Sequence, residues 1–198
     1  MTVLFINACV RPESRTKILA NEALKYLDGQ VKEIDLGNEA IMPLTRKSLE
    51  ERNELLKKQK LDDPSFKYAH AFAKADEIVI AAPFWDLSFP ASLKSFIEAV
   101  NVSGITFRYT QQGTIEGLCK AKRLIYVTSA GGKIGEENCG FGYVKSLCEH
   151  LYGIHDLVFI KAEGLDIWGA DVDQVLNSAK KEIADILGKQ DKCRVYPH

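Results

Sequence analysis

Apolar residues along the chain gather into short runs that are separated by longer stretches of helical periodicity. Four runs are continuous and rich in branched side chains: Val3–Ile6, Ile78–Ala82, Leu124–Val127 and Leu157–Ile160. Runs of this kind are typical of strands that are covered on both faces, as in a parallel sheet. A fifth segment, Val31–Leu36, mixes charged with apolar residues and is predicted to be an edge strand.

Helical stripes occupy the stretches between the runs. Apolar residues recur at helical spacing in Ile18–Leu27, Leu93–Val100, Tyr143–Leu151 and Val172–Leu187. The first of these helices is expected to begin near Ser14 or Thr16. Residues 46–73 are charged and helical but are interrupted near Pro64, which predicts two helices there. Strands and helices thus alternate five times, and this order predicts an α/β fold with a doubly wound parallel sheet.

Length, charge and cysteine content narrow the class of protein. A chain of 198 residues with net charge −1 fits one soluble domain, predicted at residues 1–190 and followed by a flexible tail at 191–198. Its scattered lysines and arginines give no footprint for nucleic acid, and its longest apolar run, Ile78–Trp85, is far too short to cross a bilayer. Five cysteines without a C-x-x-C spacing indicate reduced thiols rather than disulfides or a zinc site. Since Met1–Asn7 does not read as a signal peptide, a cytoplasmic protein is expected.

The loop after the first strand carries a candidate phosphate site. In an open parallel sheet, ligands bind beyond the carboxyl ends of the strands, where the strand order reverses. There Ser14 and Thr16 place hydroxyls and free N–H groups at a helix start, and Arg11 and Arg15 add positive charge. A plain helix N-cap explains the same residues without a ligand, so both interpretations stay open from this loop alone. The chain contains neither a Rossmann G-x-G-x-x-G after the first strand nor a P-loop sequence.

Two further loops are expected at the same edge of the sheet. Pro83–Pro90 combines two prolines with three aromatic residues, which suits a flat heteroaromatic ring, although aromatics tucked into the core explain it too. Thr128–Gly132 ends in paired glycines that allow close approach of a ligand and positive φ, or simply form a turn. Three such loops at one edge favour a ligand site more strongly than any one of them does.

Several blocks of the chain match a known family. They are Ala82–Leu87, Leu93–Phe96, Gly104–Thr110, Glu116–Leu118 and Thr128–Gly132, followed by Gly153–Asp156 and Ala162–Leu165. Thr106–Thr110 is the most specific of them. In these blocks the chain resembles the FMN-dependent NADH-azoreductases, which belong with the flavodoxin-like quinone reductases. The resemblance implies a flavodoxin-like five-stranded parallel sheet in the order 2-1-3-4-5, with helices on both faces.

The resemblance also implies a cofactor site. The residues that it assigns to FMN binding are Cys9, Ser14, Arg15, Thr16, Phe84, Trp85, Asp86, Leu87, Ser129, Ala130, Gly131 and Gly132, and it makes Phe107 and Tyr109 walls of a substrate pocket. Ala8 and Cys9 replace the family's first serine pair, so backbone N–H groups rather than side-chain hydroxyls are expected to serve the phosphate there, with Arg11 as a compensating charge. Ala130 replaces a frequent arginine, so substrate preference is expected to differ. No catalytic side chain and no metal ligand is assigned, because the cofactor carries the redox chemistry.

The activity that the resemblance implies is two-electron transfer by an FMN-dependent enzyme. NADH or NADPH is the donor, a quinone or azo compound is the acceptor, and the mechanism is ping-pong. A flavodoxin-type electron carrier is one alternative, against which the near-neutral charge and the extra segments at 37–65 and 101–120 argue. A non-catalytic FMN-binding module is the other. Exposed aromatic material at Trp85, Phe89, Phe107 and Tyr109 predicts a homodimer with the pocket near its interface.

Overall fold

The computed structural model of the protein describes residues 1–135 and 138–188, so the predicted tail, the domain end at residue 190 and Cys193 lie outside the described residues. Its elements follow in chain order as β1 (Thr2–Asn7), α1 (Arg15–Leu24), β2 (Gln30–Asp35), α2 (Arg46–Lys57), a 3-10 turn (Pro64–Phe66), α3 (Lys67–Lys74), β3 (Glu77–Ala81), α4 (Ala91–Val100), β4 (Phe107–Tyr109), β5 (Ile115–Gly117), β6 (Arg123–Ser129), α5 (Phe141–Leu147), a π-helical turn (Cys148–Tyr152), β7 (Asp156–Ala162) and α6 (Val172–Leu187). Helix α1 begins after Ser14 and a break at Pro64 separates α2 from α3, as predicted.

Five strands form one parallel sheet in the order β2-β1-β3-β6-β7. Numbered by their place among the sheet strands, this is the predicted order 2-1-3-4-5, so the predicted flavodoxin-like sheet is confirmed. β2 is an edge strand, and its first four residues are exposed. Its mixed composition therefore reflects a strand that has only one neighbour and little cover.

Two layers of the core cover the two faces of this sheet, because successive side chains of a strand point to opposite faces. Val3 and Phe5 of β1 pack with residues of α1 and α6 on one face. Leu4 and Ile6 pack with residues of α3, α4 and α5 on the other. All residues of β3 are buried. Full burial of one such aliphatic side chain stabilises the fold by about 1.5–3 kcal/mol, which explains why the central strands are continuous apolar runs.

A short antiparallel hairpin, β4–β5, stands apart from the main sheet. Each of its strands has three residues, and most of them are exposed. Arg108 and Glu116 form an ion pair across it at 2.8 Å. Such short strands leave no apolar run in the sequence, and the hairpin was not among the predicted strands for that reason.

Helix α2 lies on the outside of the molecule. All of its residues, Arg46–Lys57, are described and none is buried. Its Arg52 guanidinium donates hydrogen bonds to the carbonyl oxygens of Glu98, at 2.9 Å, and Asn101 at the end of α4. No helix in residues 1–135 and 138–188 combines the length and apolar character needed to cross a membrane.

The strand order reverses at β1, which has β2 on one side and β3 on the other. Hydrogen bonds continue past the strand ends and hold the following loops side by side. Ala8 N–H donates to the Ala81 carbonyl at 2.8 Å, Phe84 N–H to the Ser129 carbonyl at 3.0 Å, and Ala130 N–H to the Ala162 carbonyl at 2.9 Å. The loops after β1, β3, β6 and β7 therefore meet at one edge of the sheet, beside the reversal of strand order.

Candidate functional site

A cavity of about 540 Å³ lies among these four loops. Its walls are formed by Cys9, Val10, Arg11, Glu13, Ser14, Arg15, Thr16, Pro83, Phe84, Trp85, Ser129, Ala130, Gly131, Leu165 and Asp166. The position is the one at which open parallel sheets bind their ligands, and the volume is in the range of small-molecule and cofactor sites, about 300–1,000 Å³.

One end of the cavity is the start of helix α1. The Ser14 side chain caps this helix by accepting a hydrogen bond from Lys17 N–H at 3.3 Å. The N–H groups of the first helical turn have no partner within the helix and present a partial positive charge. The Thr16 and Ser129 hydroxyls lie 2.6 Å apart and join this helix start to the end of β6. Hydroxyls and N–H groups that converge in this way form an anion site.

The loop after β1 is fixed by the side chain of Asn7, which is fully buried. Its amide oxygen accepts a hydrogen bond from Cys9 N–H at 3.0 Å, and its amide nitrogen donates one to Glu33 at 2.9 Å. The Cys9 thiol donates to the Ala81 carbonyl at 3.7 Å. Burial raises the pKa of this thiol. Cys9 therefore remains a neutral thiol that packs against the sheet edge.

An ion pair joins the helix start to the loop after β7. The Arg15 guanidinium donates to the Asp166 carboxylate at 2.7 Å. Asp166 is held in place by its own N–H, which donates to the Gly131 carbonyl at 2.9 Å. A Cβ atom on Gly131 would lie 2.3 Å from an Asp166 carboxylate oxygen. The absence of a side chain at Gly131 is thus what allows Asp166 to reach Arg15.

The other end of the cavity is aromatic. Phe84 and Trp85, both partly buried, form its wall. Trp85 and Ser88 exchange two backbone hydrogen bonds, at 3.2 and 2.7 Å, so Trp85–Ser88 is a tight turn. Its central residues, Asp86 and Leu87, have φ of 51° and 62°. Left-handed backbone at two consecutive non-glycine residues is costly and is typical of functional loops.

The structure brings together most of the predicted cofactor residues but not all of them. Asp86 and Leu87 are exposed at the tip of the turn, and neither they nor Gly132 line the cavity. The predicted substrate-pocket residues Phe107 and Tyr109 lie on β4, with ring centroids 5.8 Å apart, and do not line it either.

The predicted exposure of Phe107 is wrong, because its side chain is buried. Tyr109 is 64% exposed. The predicted positive φ at Gly131 and Gly132 is also wrong, since neither glycine has a left-handed backbone. The glycine at 131 is needed for space beside Asp166 instead.

Sequence reasoning missed Leu165 and Asp166 among the residues of the cavity. A signal for them existed, since both follow β7 at the same edge of the sheet as the three loops that were recognised. The histidines of the described residues contribute nothing to its walls: His70 bonds the Leu61 carbonyl at 2.6 Å, and His150 and His155 are exposed. Within residues 1–135 and 138–188, no group of three His, Cys, Asp or Glu side chains could hold a metal ion.

The fold and the cavity together define a class of protein. A parallel sheet of this order, with an anion-binding helix start and an aromatic loop on either side of the reversal point, is typical of flavodoxin-like proteins that bind a mononucleotide. A family model described as a flavodoxin-like fold matches residues 1–187, and the chain belongs to this family.

Similar proteins agree with this assignment along nearly the whole chain. The FMN-dependent NADH:quinone oxidoreductase of Clostridium beijerinckii is 37% identical over 187 residues, which cover 89% of this chain and 93% of that protein. FMN-dependent NADH:quinone oxidoreductase 2 of Clostridium acetobutylicum is 38% identical, with coverage of 89% and 92%. The crystal structure of an azoreductase from Bacillus anthracis superposes with a TM-score of 0.83 at 24% identity, covering 96% of this chain and 99% of that one. The last comparison concerns the fold alone.

Proposed function

We propose that the protein is an FMN-dependent NADH:quinone oxidoreductase. The observation that carries the proposal is the cavity at the reversal point of the sheet, with an anion site at one end and an aromatic wall at the other. An FMN molecule has the same two parts, a phosphate and a flat ring. The relatives that are 37–38% identical to this chain bear the name of this activity.

The anion site suits the terminal phosphate group of FMN, because it lies directly at the start of helix α1. Ser14, Arg15 and Thr16 supply N–H groups, hydroxyls and one guanidinium there, and Cys9 lines the cavity in place of the family's serine. The ring is assigned to Phe84–Leu87 and Ser129–Gly132. Asp86, Leu87 and Gly132 are kept in this assignment as predictions for the cofactor-bound protein. The anion site lies directly at a helix start and no G-x-G-x-x-G follows the first strand, which favours FMN over a dinucleotide as the cofactor.

FMN supplies the redox chemistry when it is bound, since its ring accepts a hydride and gives two electrons to an acceptor. The chain's own residues position the reactants. Phe84, Trp85 and Leu165 provide apolar walls that exclude water. Cys9 contributes no base, because burial raises the pKa of its thiol. We therefore assign no catalytic side chain, and we propose quinones and azo compounds as acceptors. Phe107 and Tyr109 do not line the cavity, and their contact with substrate is kept as a prediction for the cofactor-bound protein.

We further propose that the protein is a cytoplasmic homodimer. Large apolar side chains are exposed on residues that line the cavity or lie within two positions of a lining residue in the chain: Val10, Leu87, Ile167 and Trp168, the last of them 99% exposed. An apolar surface of this kind is typical of an interface. The cysteines among the described residues, Cys9, Cys119, Cys139 and Cys148, are free thiols, as a reducing compartment requires. Light scattering at micromolar concentration tests the dimer, and a monomer would count against it.

The flavin itself provides the test of the activity. Denaturation of the purified, reconstituted protein should release FMN, and release of FAD would overturn the cofactor assignment. Added NADH should bleach the flavin absorbance under anaerobic conditions, and a quinone should then restore it. If neither NADH nor NADPH bleaches the flavin, the carrier or the non-catalytic module replaces the reductase.

A further inference from the structure

The two arginines that line the cavity differ in their surroundings. Arg15 is paired with Asp166 at 2.7 Å. The Arg11 guanidinium instead lies over the Trp85 ring, 5.9 Å from its centroid, which is within the range of a cation–π contact. No carboxylate in residues 1–135 and 138–188 forms an ion pair with Arg11. This holds even for Glu13, two residues after Arg11 in the chain, and for Asp86, which follows Trp85. Its charge is therefore available to an anion.

Arg11 also lies at a different depth from the anion site at the helix start. Ser14 and Thr16 are buried, whereas Arg11 is exposed at the mouth. A cofactor that is held throughout turnover occupies the deep site, and a substrate that comes and goes meets the residues at the mouth. The stack on Trp85 holds the guanidinium beside the aromatic wall, where a flat donor ring has to enter.

We propose that Arg11 is the residue that binds the diphosphate of the nicotinamide nucleotide donor. This inference rests on the proposed function, because NADH is the donor in that reaction. Arg11 presents a planar fork of N–H donors, which matches phosphate oxygens and forms charge-assisted hydrogen bonds. The contact favours donors that carry phosphate groups over those that do not, and it holds the nicotinamide end against the Trp85 wall.

Donors with and without phosphate separate this role from a general structural one. Initial rates of the FMN-loaded protein are measured with NADH and with N-benzyl-1,4-dihydronicotinamide, which has no phosphate, at one fixed quinone concentration below the range in which quinone inhibits. Arg11→Gln should raise KM for NADH about tenfold, the cost of one charge-assisted hydrogen bond. In the same variant, KM for the phosphate-free donor should change less than about twofold, because this donor has no phosphate for Arg11 to bind. Arg11→Lys should have a KM for NADH between those of the wild type and Arg11→Gln, because lysine keeps the positive charge.

Two measurements without turnover complete the test. Calorimetric titration with 1,4,5,6-tetrahydro-NADH, which has the diphosphate but transfers no hydride, should show about tenfold weaker binding to Arg11→Gln. FMN affinity, measured by flavin fluorescence on the apoprotein, should stay within about twofold of wild type, since the inference gives Arg11 no contact with the cofactor phosphate. Arg46→Gln, which removes an exposed arginine that does not line the cavity, is the matched control.

The outcomes are distinct. An equal rise in KM for both donors, or unchanged binding of the tetrahydro analogue, overturns the inference whether or not the wild-type protein turns over. A large loss of FMN affinity in Arg11→Gln assigns Arg11 to the cofactor phosphate instead and also overturns it. Failure of wild-type flavin to be bleached by NADH overturns the proposed function, while the titration still decides whether Arg11 binds the diphosphate.

Discussion

Gly131 and Gly132 are neighbours, but the space around them differs. A Cβ at Gly131 would lie 2.3 Å from an Asp166 carboxylate oxygen, whereas a Cβ at Gly132 would meet nothing within 4 Å. We expect Gly131→Ala to push Asp166 away from Arg15 and to weaken FMN binding several-fold. Because the added Cβ would also lie 2.9 Å from Cγ and 3.1 Å from Cβ of Asp166, we expect the free energy of unfolding to fall by about 1–3 kcal/mol, the usual cost of overpacking. Gly142→Ala is the control, since a Cβ there would also meet nothing within 4 Å and Gly142 does not line the cavity, and it should leave the FMN affinity unchanged.

Flavin fluorescence titration of the apoproteins measures the affinity, and urea unfolding measures the stability. Equal FMN affinities for Gly131→Ala and wild type would show that the Arg15–Asp166 ion pair is irrelevant to the cofactor. The ion pair joins residues that are 151 positions apart, so no local pattern in the sequence could have predicted it.

Burial also controls the reactivity of the thiols. It raises the pKa of both Cys119 and Cys148 to about 12, from an ordinary value of 9.0. At pH 8 only about one such thiol in ten thousand is ionised, and the thiolate is the reactive form. We expect iodoacetamide to modify Cys139, which is exposed, much faster than Cys119 or Cys148. Peptide mass spectrometry of the native protein gives the rates, and comparable labelling of all three would contradict the prediction.

The same shifts affect stability at high pH. A folded-state pKa above the unfolded value means that the folded protein keeps these protons while the unfolded chain releases them. The contribution of the two thiols is fully present below about pH 9 and is lost as the pH rises from 9 towards 12. Urea midpoints measured from pH 8 to pH 10.5 should therefore fall less steeply in the Cys119→Ala, Cys148→Ala double variant.

Among the elements, α2 is held by the hydrogen bonds of Arg52 and by the packing of its partly buried Leu55 and Leu56. None of its residues is buried, and Arg52 ties it to the carbonyl end of α4. We expect Arg52→Met to speed hydrogen exchange in α2 and in the last turn of α4 while β1, β3 and β6 stay protected. The loss is about 1.5–3 kcal/mol, the range for hydrogen bonds made by a charged group. Arg46→Met, at the exposed start of the same helix, is the control, and equal exchange in both variants would contradict the role of Arg52.

Burial explains which elements the sequence predicted. The runs at Val3–Ile6 and Leu124–Val127 are continuous because β1 and β6 are covered on both faces, and this pattern is specific to buried parallel strands. The hairpin β4–β5 is mostly exposed and short, so it has no such pattern. Similarly, nine of the twelve predicted cofactor residues line the cavity because they follow strand ends, where topology alone fixes the site.

At the scale of the whole molecule, the four loops form one mouth, and we propose that every reactant enters through it. Within residues 1–135 and 138–188 the chain shows no second nucleotide fingerprint, and the described cavity offers a single aromatic wall, Phe84 and Trp85. We therefore propose that donor and acceptor meet the cofactor at the same face in turn. The shared face results from all four loops together, since no single residue in them would prevent donor and acceptor from binding at the same time.

We expect ping-pong kinetics from this shared face. The oxidised nicotinamide has to leave before a quinone or azo compound can enter, so double-reciprocal plots against NADH at several fixed quinone concentrations should give parallel lines. High quinone concentrations should inhibit competitively with NADH, because both compounds occupy the space beside Trp85. Reductive and oxidative half-reactions followed separately by stopped flow should each reach completion without the other substrate. Intersecting lines would mean that both substrates bind together, and the single-face arrangement of the four loops would then need a second entrance to the cofactor.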